Sequence, residues 1–137
     1  MASHTTMKWL PNSKTFISTD STGHSVVMST TGENSGMKPS ELILSALAGC
    51  ASVDVVDILG KKRNPLSSLE VQLKAEQDAD PPWTFRKIFM HFILKGENLT
   101  HKNVQQAIEL SEEKYCSVAS TLRGKAEIIT SFEILED

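Results

Sequence analysis

Hydrophobic and polar positions change their spacing several times along the chain, and each change marks a predicted element. Residues 16–20 and 24–29 are short segments that carry Phe, Ile, Val and Thr, and the turn sequence DSTG at 20–23 separates them. This pattern predicts a β-hairpin. Trp9 and Leu10 are assigned to a preceding strand. The first third of the chain is therefore predicted to be a β-meander.

A long helix is predicted for residues 39–61, which contain no proline after the first position. Pro39 and Ser40 are typical helix-start residues, and the basic run at 61–63 suits the negative end of a helix dipole. Apolar residues occur on nearly every side of this helix. Such a pattern is typical of a helix that is buried all round.

Two environments could bury this helix. A membrane span needs ~20 mostly apolar residues, but Asp54 and Asp57 fall inside the run and central carboxylates are costly in lipid. No membrane association is therefore expected. In a chain of 137 residues it is hard for one layer of sheet to cover a helix on all sides, so sheets from two subunits are expected to do so. The sequence thus predicts a homodimer.

The second half of the chain combines strands with helices. Period-2 alternation predicts a half-buried strand pair at about 69–76 and 84–95. Thr100 is the predicted cap of a second helix at about 101–115. A short helical turn at 117–122 and a last strand at about 125–135 complete the predicted order. Because strands are grouped rather than strictly alternating with helices, the predicted class is α+β.

Length and composition limit the possible functions. The 137 residues suit one domain, 1–137, in which residues 1–6 form a candidate disordered leader before Met7. The net charge of −3 gives no reason to expect nucleic acid as a partner. The N-terminal sequence lacks the features of a signal peptide, and two cysteines cannot make a disulfide framework. A cytoplasmic location is therefore expected.

Candidate chemistry lies with the two cysteines. The four histidines are scattered without metal-ligand spacing, so neither a metal nor another cofactor is expected. Cys50 lies in the long helix between small residues, and Cys116 lies near the end of the second helix. Taken alone, each is also compatible with an inert core position, since free Cys is among the most buried residue types. The 66-residue separation does not reveal whether they meet.

Two motifs around these cysteines carry a resemblance. The segment PSELILSALAGC at 39–50 resembles the P-x-E-L-L-L-A-A-L-A-G-C signature of the OsmC/Ohr superfamily, especially its YhfA-like branch. EKYCSV at 113–118 resembles the second cysteine motif of that superfamily. The order of predicted elements agrees from about residue 7 to 137. The resemblance implies an intertwined α+β homodimer with two long helices held between sheets.

The resemblance also implies a thiol-dependent peroxidase or redox protein that acts on organic hydroperoxides. Carried over by position, Cys50 attacks the peroxide and Cys116 resolves the sulfenic acid as a disulfide, which a dithiol reductant then reduces. Glu41 is the candidate catalytic carboxylate, although the glutamate of the well-studied peroxidases corresponds to Ser40 here. Those peroxidases also use an upstream arginine, whereas this chain has no arginine before Cys50.

That missing arginine motivates a second hypothesis. The protein would then be a non-catalytic, dimeric binding module of the same fold that holds a small apolar or thiol-containing metabolite near Cys50. A third interpretation is that the site has decayed and only the fold remains.

Overall fold

The N-terminal part of the protein is a three-stranded antiparallel sheet. The computed structural model describes residues 2–30 and 32–136, which form two compact units, Met1–Ile43 and Leu44–Asp137. In the first unit the strands β1 (Thr5–Leu10), β2 (Thr15–Asp20) and β3 (Ser25–Met28) pair in chain order. The predicted β-meander is confirmed. The prediction of a single domain over 1–137 stays a prediction.

The N-terminal boundary differs from the sequence prediction. Thr5 and Thr6, which were assigned to the candidate leader, are the first residues of β1 and pair with Asp20 and Thr19. Backbone pairing with β2 orders them although their side chains are exposed. Met1 lies outside the described residues.

One face of this first sheet is apolar. The register aligns Met7 with Ser18 and Val26, and Trp9 with Phe16 and Met28, so these side chains share a face. Trp9 is 61% exposed, and Met7 and Val26 are also exposed. The N-terminal unit therefore leaves large apolar side chains uncovered within the single chain.

The long helix α1 (Glu41–Lys61) confirms the predicted central helix, but one chain buries only one side of it. The buried stripe consists of Leu47, Ala51, Val55 and Leu59. Val53 is 70% exposed and Val56 is 48% exposed. The core of one chain packs against one face of α1, and burial of its other faces by a second subunit stays a prediction.

By length and composition, α1 is also able to cross a membrane. Its mean hydropathy is 2.0, and 22% of the 18-residue apolar window is buried within the chain. Core helices of soluble proteins have the same length and apolar composition.

The larger unit contains the second three-stranded sheet. Its strands β4 (Leu66–Gln77) and β5 (Phe85–Gly96) are antiparallel, and β6 (Glu127–Ile134) lies parallel to β5. Alternate residues of β5 enter the core as predicted; they are Ile88, Met90, Phe92 and Leu94. On the opposite face His91 contacts Ser131 at 2.7 Å and Glu133 at 2.8 Å, which ties β5 to β6.

The connection from β5 to β6 carries the second cysteine. The helix α2 (His101–Leu110) begins at Thr100, whose side chain accepts a hydrogen bond from the Asn103 N–H at 3.1 Å. A π-helical turn (Ser111–Tyr115) follows and leads to α3 (Ser117–Leu122). The predicted cap and the predicted short helical turn are confirmed.

The predicted second helix ends earlier than expected as an α-helix. The Cys116 N–H donates to the Ser111 carbonyl at 2.7 Å, a bond that spans five residues and widens the helix into a π-turn. Buried side chains of α1, α2 and α3 join the inner face of β5 in one hydrophobic core. The α+β class and the predicted element order are confirmed.

Candidate functional site

Packing of α3 beside α1 brings the two cysteines together. Cys50 lies in the middle of α1 and is half-buried, next to the buried stripe of that helix. Cys116 immediately precedes α3 and is buried. Both are free thiols, and they lie close enough for each to shift the pKa of the other. Two residues that are 66 positions apart in sequence thus form one dithiol site.

Cys116 also serves as the N-cap of α3. Its backbone is extended, with φ −80° and ψ 104°, and its Sγ accepts a hydrogen bond from the Ala119 N–H at 3.4 Å. A capping residue leaves the helical path so that its side chain can face the free N–H groups of the first turn. The free N–H groups of the next two residues, Ser117 and Val118, are then available to Cys50.

These donors control the protonation of Cys50. Burial raises the pKa of the Cys50 thiol, but hydrogen bonding from the Val118 N–H, the Cys116 thiol and the Ser117 hydroxyl and N–H lowers it below its usual value. Each of these donors stabilises the thiolate more than the thiol. Among the described residues, the groups that lower this pKa are hydrogen-bond donors rather than a cation.

Cys116 is affected in the opposite direction. Burial raises its pKa to about 11, and hydrogen bonding to Cys50 adds to the increase because it favours the protonated thiol as a donor. The N–H groups of Ala119 and Val118 oppose the increase. Cys50 is therefore the first of the two thiols to lose its proton as the pH rises.

This difference in pKa predicts selective modification. Below pH 11, iodoacetamide should alkylate Cys50 well before Cys116, because the thiolate is the nucleophile and Cys116 is both protonated and 2% exposed. Mass spectrometry of tryptic peptides after timed alkylation measures both rates. In a urea-unfolded control the two rates should become similar. Faster labelling of Cys116 in the folded protein would contradict the assignment.

Ser111 links the segments that carry the two cysteines. Its side chain is 1% exposed, and its hydroxyl donates to Asp54 Oδ2 at 2.9 Å. The same Oγ lies 3.4 Å from the carbonyl oxygen of Ala51, the residue after Cys50. Its backbone carbonyl accepts the Cys116 N–H. One residue of the π-turn therefore contacts α1 beside Cys50 and holds the backbone of Cys116.

Comparison with known proteins identifies the family of this chain. The family profile described as OsmC-like protein matches residues 32–131. Protein YhfA of Escherichia coli K12 is 36% identical over 129 residues, which cover 94% of this chain and 96% of that protein. The chain belongs to the OsmC-like family.

Solved structures share the fold of this OsmC-like protein. A hypothetical protein from Aquifex aeolicus VF5 is 28% identical, with a TM-score of 0.88 over 100% of this chain and 99% of its own. The organic hydroperoxide resistance protein OhrB of Bacillus subtilis is 14% identical, with a TM-score of 0.65 over 97% of this chain and 98% of its own. The likeness to OhrB shows the fold alone.

Glu41 is the third predicted site residue of this OsmC-like chain, and no described hydrogen bond connects it to Cys50 or Cys116. It is exposed in the first turn of α1 and belongs to the N-terminal unit. No hydrogen bond or ion pair of its side chain occurs among the described residues. An acidic residue in a first turn is favourable to the helix dipole. Its catalytic role stays a prediction.

Sequence reasoning missed Ser117, Val118, Ser111 and Asp54 as parts of the site. The polar Ser111 at a buried position of a predicted helix was a usable signal, because buried hydroxyls need a partner. The donors at 117 and 118 are backbone groups, which leave no signature in residue type. Over residues 2–30 and 32–136, no group of three or more His, Cys, Asp or Glu side chains is arranged to hold a metal ion.

Proposed function

We propose that this protein is a thiol-dependent peroxidase that reduces organic hydroperoxides through Cys50 and Cys116. The observation that carries the proposal is the contact between two free thiols whose pKa values are shifted in opposite directions. The lowered pKa suits a nucleophile, because it increases the fraction of Cys50 that is present as the reactive thiolate. The raised pKa suits a partner that stays protonated until the first cysteine has been oxidised.

The proposed cycle has three balanced steps. The Cys50 thiolate attacks the outer oxygen of the hydroperoxide, the O–O bond breaks, and the alkoxide takes a proton to become an alcohol. Cys50 is thereby oxidised by two electrons to a sulfenic acid. Cys116 sulfur then attacks Cys50 sulfur, the S–O bond breaks, and water leaves with the Cys116 proton. A dithiol reductant finally returns both thiols and closes to its own disulfide.

In this proposal, backbone N–H groups stabilise the Cys50 thiolate in place of the upstream arginine that the well-studied peroxidases use. The Ser117 and Val118 N–H groups, which follow the extended backbone of Cys116, contribute to the lowered pKa of Cys50. Fixed N–H groups stabilise an anion without reorganisation, as in other sites where negative charge forms. The absence of arginine before Cys50 therefore does not exclude a thiolate.

A cytoplasmic homodimer is the proposed form of the protein. The exposed side of α1 contains a shallow concavity of about 480 Å³ lined by Ser52, Val53, Val56 and Asp57. The N-terminal sheet separately exposes Trp9 and Met7. Contiguous apolar surface on a soluble protein commonly marks an interface, and a second copy of the chain would cover both regions.

Turnover of a hydroperoxide tests the function directly. Purified protein should consume cumene hydroperoxide with dithiothreitol or a lipoylated reductant, and without reductant one equivalent of peroxide should yield one intramolecular Cys50–Cys116 disulfide. Loss of peroxide and non-reducing peptide mapping measure the two results. If Cys50 stays unmodified and no peroxide is consumed, the peroxidase proposal is wrong and a small-molecule binding role becomes the leading account.

A further inference from the structure

The proposed reduction of hydroperoxides assigns no role to the π-helical turn between α2 and Cys116. Its first residue, Ser111, is a buried polar residue whose hydroxyl donates to Asp54 Oδ2 at 2.9 Å. Asp54 lies one helical turn after Cys50 on α1. π-turns interrupt the regular ladder and occur frequently at functional sites.

We propose that Ser111 and Asp54 form a clamp that sets the position of Cys116 and of the α3 N–H groups relative to Cys50. This clamp rests on the proposed thiol chemistry for its purpose, but its physical effect does not depend on any peroxide. Neither residue contacts the reacting sulfurs in the described contacts, so both are positioning residues rather than catalytic ones.

The connectivity of Ser111 supports this assignment. The Ser111 hydroxyl donates to Asp54 and lies near the carbonyl oxygen of Ala51. Both residues belong to the turn of α1 that follows Cys50. The Ser111 carbonyl accepts the Cys116 N–H at 2.7 Å, so the clamp is bonded directly to the backbone of the second cysteine. Movement of Ser111 away from α1 would therefore carry Cys116 and the start of α3 with it.

The widened turn explains why the hydroxyl reaches α1. Position 111 continues the buried stripe of α2, which contains Val104, Ala107 and Ile108. A π-turn adds one residue to the helix before Cys116, so the chain can leave the helix toward Cys50 while Ser111 remains on the buried side. An apolar residue at 111 would fill the space but would lose the bond to Asp54.

Asp54 is suited to be the fixed partner. Its carboxylate accepts the Ser111 hydroxyl, and hydrogen bonds to charged groups are stronger than those between neutral groups. The nearby Asp57 instead forms an exposed ion pair with Lys61 at 3.1 Å on the same helix. The two carboxylates of α1 that interrupt its apolar pattern therefore have different roles.

Ser111→Ala tests the clamp through the two cysteines. We expect the pH midpoint of Cys50 alkylation to rise by about one unit, as one lost charge-stabilising contact would produce. Diamide, which is reduced to a hydrazine as it oxidises the dithiol, should close the Cys50–Cys116 disulfide about tenfold more slowly. Asp54→Ala should slow disulfide closure to a similar extent, whereas Asp54→Asn, which keeps an oxygen acceptor for the Ser111 hydroxyl, should close the disulfide at close to the wild-type rate.

Ser67→Ala is the matched control, because the exposed Ser67 hydroxyl also donates to a carbonyl, that of Lys95 at 3.2 Å. It should change neither measurement. Circular dichroism at the assay temperature establishes that each variant is folded. If folded Ser111→Ala keeps the wild-type pH midpoint, and if folded Ser111→Ala and Asp54→Ala both close the disulfide at the wild-type rate, the clamp is only structural and the proposal is overturned. Because alkylation and diamide need no hydroperoxide, failure of peroxidase turnover would leave this result unaffected.

Discussion

Replacement of Cys50 by serine should lower hydroperoxide turnover by at least about a thousandfold, the scale expected when an enzyme loses its nucleophile. A serine hydroxyl at this position keeps the size of the side chain but is not ionised by the four donors that lower the Cys50 pKa. The rate of cumene hydroperoxide loss with excess dithiothreitol measures the effect. Binding and folding should be nearly unchanged, because Cys50 is half-buried and the substitution is close to isosteric.

Cys116→Ser is the matched comparison because it removes the second sulfur and keeps a hydroxyl donor toward Cys50. This variant should still be oxidised once by one equivalent of hydroperoxide, and dimedone should trap the sulfenic acid at Cys50. It should form no intramolecular disulfide. Equal loss of the first oxidation step in both variants would show that the roles of the two cysteines are not those proposed here.

The order of elements was predictable from the sequence because hydrophobic spacing determines it. Alternation along β5 predicted that Ile88 and Phe92 share one face, and both side chains are fully buried. Thr100 was recognisable as a cap because its hydroxyl has a standard partner three residues on. Strand alternation and helix caps depend only on residues that are close in the sequence, so both can be recognised without the structure.

The geometry of the site was not predictable in the same way. Contact between Cys50 and Cys116 depends on the packing of α3 beside α1, which is tertiary and spans 66 residues. The π-turn includes the bond from the Cys116 N–H to the Ser111 carbonyl, and Ser111 has its buried partner, Asp54, on another helix. The resemblance to a known family supplied the pairing of the cysteines as an expectation. It did not supply the backbone donors that lower the Cys50 pKa.

The uncovered side of α1 leads to the second large expected effect. Val53→Glu should convert a dimer into a monomer or destabilise it severely, because Val53 is 70% exposed in one chain and would be buried by a second copy. An unpaired carboxylate in a buried interface costs roughly 3–5 kcal/mol. Such a cost raises the dissociation constant of the dimer by at least about a hundredfold. Sedimentation velocity between nanomolar and micromolar protein measures the change.

Ala79→Glu is the control for added charge, because Ala79 is an exposed residue in the connection between β4 and β5. It should leave the oligomeric state of the protein unchanged. A wild-type protein that sediments as a stable monomer at micromolar concentration would refute the dimer, and so would a Val53→Glu variant that remains fully dimeric. The expected result follows from a simple mismatch: a 21-residue helix with apolar residues on nearly every side is covered along only one stripe by its own chain.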